Sequence, residues 1–254
     1  MTSDSPLEKA GQAILPGPPD SLGLDPDYAL RKFFKDQEWT VKTGIGGIFN
    51  AMALGLFCLV PLAFPISVCL IAIVQGYSLR VLRTYIRDKD APLPPWNEWF
   101  DLFVSGMSWI ALTTMYFFMV MFFAYVSLAA GSLVHATKTV DPNFVVWAGS
   151  TMIGIKVMSA FFHFFTSVLM ANFADEESMP AGFAFIKVVK RIVAAPGDFV
   201  CAWIIGIGIQ SLFFFVPCLT VIGIFLLPTT IFTSQLLTAK IMAQAWRSSE
   251  AEIT

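Results

Sequence analysis

Residues Val68 to Val104 read VCLIAIVQGYSLRVLRTYIRDKDAPLPPWNEWFDLFV. The stretch starts as a helix that water would not tolerate, becomes amphipathic after Gln75-Gly76-Tyr77, and stops at Pro92, Pro94 and Pro95. Before the stop, Arg80, Arg83 and Arg87 share one helical face and Leu79, Leu82 and Ile86 another. After it, Trp96, Trp99, Phe100 and Phe103 recur at i, i+3, i+4 and i+7, so a restarted helix with one aromatic face is expected. Arginine at a helix end followed by a tryptophan-rich turn is the pattern of a membrane–water boundary. The aromatic residues are the expected interface anchors. The basic faces Arg80/Arg83/Arg87 and Lys187/Lys190/Arg191 are the expected contacts with anionic headgroups.

Composition carries this reading to the whole chain. Hydrophobic residues make up 56% and charged residues 13%, against roughly a quarter charged in an average soluble domain. Mean hydropathy is +0.70. The expected fold is an all-α integral membrane protein with six transmembrane helices, arranged as three hairpins, each preceded by an interfacial amphipathic helix. Nucleic acid is not an expected partner, because the chain is slightly acidic and its basic residues are scattered. The four cysteines lie in apolar runs without metal-ligand spacing, so neither a metal site nor a cofactor is expected.

Residues 1–25 carry four prolines and four acids and no apolar core with a cleavage site, which reads as a disordered tail rather than a signal peptide. Asp25-Pro26-Asp27 is a helix start, and Tyr28 to Trp39 is expected to lie in the interface. The membrane domain runs over 26–247, with spans at about 44–60, 66–87, 106–131, 144–172, 198–215 and 219–246, the first of them close to the minimum length for a core of roughly 30 Å. Residues 248–254 form a short tail. Gly47, Ala51 and Gly55, and Ala202 with Gly206, recur every four residues and are expected to seat close-packed helices. A possible threefold parallel repeat (26–88, 92–176, 180–247) competes with three unrelated hairpins that merely look alike.

Fourteen basic residues fall on the side of the two ends and the two long connections, and only Lys138 falls opposite. By the positive-inside rule both termini are cytoplasmic.

Lys156 is the one charge deep in an expected span. Ser159 and His163 follow it on the same helical face. A lysine at the bilayer centre costs about 2.5–3.5 kcal/mol, so this stripe is either a site for an anionic group or a proton step, or a lysine satisfied by backbone carbonyls or by Gln75, Gln210 or Gln235. His163 as a haem ligand is disfavoured against an interior histidine. Catalytic motifs are absent, and no enzyme is expected.

Gln75-Gly-Tyr-Ser-Leu-Arg-Val-Leu-Arg83, followed by Pro94-Pro-Trp-Asn-Glu-Trp-Phe-Asp-Leu-Phe-Val-Ser-Gly106, resembles the prokaryotic membrane-protein family known as domain of unknown function 4013. Ile222 to Pro228 also fits. The resemblance covers roughly residues 40–246 and implies a prokaryotic cytoplasmic membrane, without an activity or a site residue to carry over. The chain is then expected to be a non-catalytic accessory, assembly or lipid-contacting component, alone, as a homo-oligomer or beside a membrane-protein partner. The other reading is a small transporter or permease with an anionic-ligand site at Lys156 and His163.

Overall fold

The computed structural model describes residues 23–59, 61–135 and 142–251. The expected tail before Asp25 and the connection around Lys138 lie largely outside them. Eight α-helices follow in chain order: α1 Pro26–Lys35, α2 Trp39–Leu59, α3 Phe64–Arg87, α4 Trp99–His135, α5 Pro142–Glu176, α6 Phe185–Ala194, α7 Pro196–Cys218 and α8 Val221–Ala251. Two 3₁₀ turns, Pro61–Ala63 and Met179–Phe183, complete the connections, and no strand occurs among the described residues. Six helices, α2 to α5, α7 and α8, are long and apolar enough to cross a membrane. The all-α, six-span class is therefore what the chain adopts.

Four of the differences from the expected boundaries bear on the packing. The first helix stops at Lys35, because Asp36 turns its carboxylate onto the backbone N–H groups of Glu38 and Leu93, both at 2.8 Å. The first span accordingly opens at Trp39, five residues before position 44. The restarted helix opens at Trp99 rather than Trp96 and continues as α4 without a separate amphipathic segment. Pro94 and Pro95 hold the residues before them extended, and Trp96 folds back onto Tyr77, ring centroids 3.8 Å apart and 5° from parallel. Finally, α8 runs to Ala251 and buries Ser248 and Ser249, where a short tail from 248 was expected.

Helix α8 is the hub, touching α2, α3 and α7 along its length and α1, α5 and α6 near the end of the bundle that carries both termini. Small residues set these contacts. A Cβ on Gly46 or Gly47 would collide with Phe232 or Thr229, and one on Gly206 would meet Thr238 at 2.7 Å. Ala202 is fully buried. Of the Gly47/Ala51/Gly55 stripe only Gly47 makes a close approach: Ala51 is exposed and Gly55 faces open space. A four-residue repeat drifts about 40° per step around a helix, so the stripe winds off the contact, and the buried small residue further along α2 is Ala53. The closest crossing is between α3 and α4. A Cβ on Gly76 would lie 1.8 Å from the Leu102 carbonyl oxygen, and one on Gly106 the same distance from that of Ala72.

Candidate functional site

Between α3, α4, α5, α7 and α8 lies a cavity of about 220 Å³. Gln75, Thr113, His163, Gln210, Gln235 and Thr238 line it, with Leu82 and Met170 on its apolar wall. Each polar group sits on a long helix, so its position is set by the scaffold rather than by a loop.

The donors and acceptors are already sorted by the helices. Thr113 donates its hydroxyl proton to the Trp109 carbonyl at 2.9 Å, and Thr238 donates to Ser234 at 2.8 Å. Ser167, also in the lining, donates to the His163 carbonyl at 2.8 Å. With their protons committed to their own helices, these hydroxyls offer lone pairs. Trp203 Nε1 donates to His163 Nδ1 at 2.9 Å, so in the neutral ring the proton resides on Nε2, a donor. Gln235 Oε1 is buried without a hydrogen-bond partner among the described residues. An acceptor left in this state costs about 1–3 kcal/mol. Among the described residues, no charged side chain lines the cavity. It can hold a small uncharged group that both donates and accepts hydrogen bonds.

Lys156 and Ser159 do not reach this cavity. Both are exposed on the surface of α5, among Met152, Ile153 and Val157. His163, two turns further on, does reach it. The three glutamines that the sequence offers as partners for Lys156 converge on the cavity instead. Thr113 and Thr238 had no distinguishing signal in the sequence, since a lone threonine in a span commonly bonds its own helix.

The basic residues expected at headgroups are mostly paired within the chain. Arg80 meets Glu98 at 3.0 Å, and Arg83 and Arg87 share Glu177 at 2.9 Å each. Lys187 pairs with Glu176. Arg191 is buried, pairs with Glu250 at 3.2 Å and stacks 4.5 Å from the Trp246 ring centre. Lys190 is exposed. Of the aromatic stripe, Trp99 and Phe100 are exposed and Phe103 is half-buried. Trp96 donates Nε1–H to the Lys42 carbonyl at 2.9 Å and joins α2 to α3.

The family model described as a protein of unknown function (DUF4013) matches residues 58–227. No curated protein and no solved structure matches the chain. The match takes in the α3–α4 crossing together with Gln75, His163 and Gln210, and ends just before Gln235. Since it spans two thirds of the 254 residues, this chain belongs to the DUF4013 family.

Proposed function

We propose that this protein is a non-catalytic component of a prokaryotic cytoplasmic membrane, with both termini in the cytoplasm. In this reading it holds a small uncharged hydroxyl- or amide-bearing group in the cavity between α3, α4, α5, α7 and α8. The unpartnered Gln235 Oε1 carries the reading: a buried acceptor facing a polar, charge-free cavity asks for a neutral donor. A glycerol or sugar headgroup of a lipid and a free solute offer the same chemistry here. The absence of a charge among the described lining residues argues against an anionic ligand in this cavity.

Native mass spectrometry of protein released from its own membranes tests this. A bound mass retained by the wild type and lost from Gln235→Leu, with thermal stability kept, is the expected result. No bound mass in either protein, or equal retention in both, would overturn the reading.

A carrier is the second reading, favoured by one observation. Pro228 lies inside α8 and cannot donate to the carbonyl one turn earlier, which gives the helix a place to flex. Uptake of labelled glycerol into proteoliposomes separates holding from carrying.

A further inference from the structure

A second recess, of about 460 Å³, opens where α3, the first turns of α4 and the end of α5 meet. Its charged wall consists of Arg80, Arg83, Glu98, Asp101 and Glu177. Its floor is the α3–α4 crossing at Gly76 and Leu102, where the two backbones touch. Phe100 and Val104 form an apolar lip, 75% and 44% exposed. They stand one turn apart on the same face of α4.

Charge decides what fits. Two guanidinium groups and three carboxylates line the groove, and Arg87 beside it shares Glu177, so the charges balance and a purely anionic headgroup would find no net attraction. A group bearing both signs would find a partner for each. The guanidinium groups offer the planar fork that binds phosphate. Asp101 is the carboxylate left over: Glu98 is held by Arg80 and Glu177 by Arg83 and Arg87, whereas Asp101 has no ion-pair partner among the described residues. Backbone strain marks the same wall. Glu98 and Glu177 are the non-glycine residues with positive φ among those described, at 53° and 56°. Such conformations persist where surrounding contacts impose them and cluster at ligand clamps.

We propose that this groove seats the phosphoethanolamine headgroup of a membrane phospholipid. The phosphate lies against Arg80 and Arg83, the primary ammonium donates to Asp101, and an acyl chain passes over Phe100 and Val104. The site is separate from the polar cavity and does not depend on what that cavity holds.

Full-length protein would be reconstituted in vesicles of equal parts phosphatidylethanolamine, phosphatidylcholine and phosphatidylglycerol with matched acyl chains, and the lipids retained on gentle release would be weighed by native mass spectrometry. Phosphatidylethanolamine should be retained about tenfold over phosphatidylcholine, whose quaternary ammonium cannot donate; that factor corresponds to the low end for one charge-assisted hydrogen bond. Asp101→Asn should erase this preference with only a small drop in unfolding temperature, because the side chain is exposed and unpaired and gives up only its charge in the first turn of α4. Arg80→Gln should lower retention of all three lipids. Equal retention of the ethanolamine and choline lipids by the wild type, or preference for phosphatidylglycerol, would overturn the proposal. So would an Asp101→Asn protein that keeps the wild-type preference.

Discussion

At Gly76 and Gly106 one hydrogen atom per residue is all that separates a packed helix crossing from a collision. The atoms a Cβ would strike are backbone carbonyl oxygens at 1.8 Å, which cannot rotate away as a side chain could. Gly106→Ala must therefore push α3 and α4 apart, at a cost of about 3 kcal/mol. It should lower the unfolding temperature in detergent by several degrees. Gly55→Ala is the control. Its Cβ would meet nothing within 4 Å, and alanine favours the helix by up to about 1 kcal/mol. If both variants melt alike, the crossing is looser than described. Both crossing glycines stand in the stretch that carries the family resemblance, and they are legible as small residues in a helical register. Their partner was not legible: a glycine says that something can approach, and only the tertiary fold says what does. The same gap explains the four-residue stripe on α2, whose spacing is right for a crossing but of which Ala51 is exposed and Gly55 faces open space.

Among the elements, the corner between α1 and α2 has the clearest pH dependence. Burial pushes the Asp36 carboxyl upward, but hydrogen bonds from the Glu38 and Leu93 backbone, helped by Lys42, outweigh it and hold the group below its ordinary 3.8. A carboxylate lowered on folding contributes stability above its unfolded pKa, and that contribution is lost as pH falls through the folded value. At the other end of the scale, the hydrogen bond to Asp90, with burial second, pushes the Tyr28 hydroxyl from 10.0 up to about 12. This contribution is complete below pH 10 and is lost as pH rises through about 12. Helix α1 should thus stay docked between these limits and loosen outside them. Amide exchange or proteolysis confined to residues 26–35, measured across pH, would detect it. Asp36→Asn should shrink the acid limb to the part carried by Asp90, whose carboxyl the Tyr28 hydrogen bond also holds below its ordinary value, and should leave the alkaline limb in place. The helix start at Asp25 was readable, since its carboxylate caps the Tyr28 N–H at 2.9 Å as the residue types require. The stop was not, because Asp36 bonds to Leu93, 57 residues away. Trp96 misled for a related reason: its spacing matches a helical stripe, but its ring is claimed by Tyr77 before the helix begins.

Across the whole molecule, packing is uneven along the membrane normal. The half nearer the termini holds most of the core, from Tyr77 to Ile86 on α3 and from Leu236 to Ser249 on α8. The opposite half presents Phe117, Phe118, Met152 and Phe225 outward. Within their most apolar windows only 11% of α5 and 17% of α7 are buried by the chain, against 50% of α3. This gradient explains why Lys156 and His163 share a helical face but not a surrounding: periodicity gives the face, and how far the neighbouring helices accompany it is a property of the assembled bundle. Orientation rests on the asymmetry of basic residues, and the native cysteines provide its test. Cys58 and Cys218 are exposed, at the last turns of α2 and α7, on the side away from the termini. Cys201 is exposed as well, but lies six residues into α7 from the terminus-bearing end, among apolar neighbours. A membrane-impermeant maleimide should therefore modify Cys58 and Cys218 in right-side-out vesicles and spare them in inverted ones. A cysteine introduced by Lys89→Cys should behave in the opposite way. Reversal of both patterns would place the termini outside. Labelling of Cys58 and Lys89→Cys from the same face would break the α2–α3 hairpin, and the cavity and the groove assigned to this bundle would fall with it.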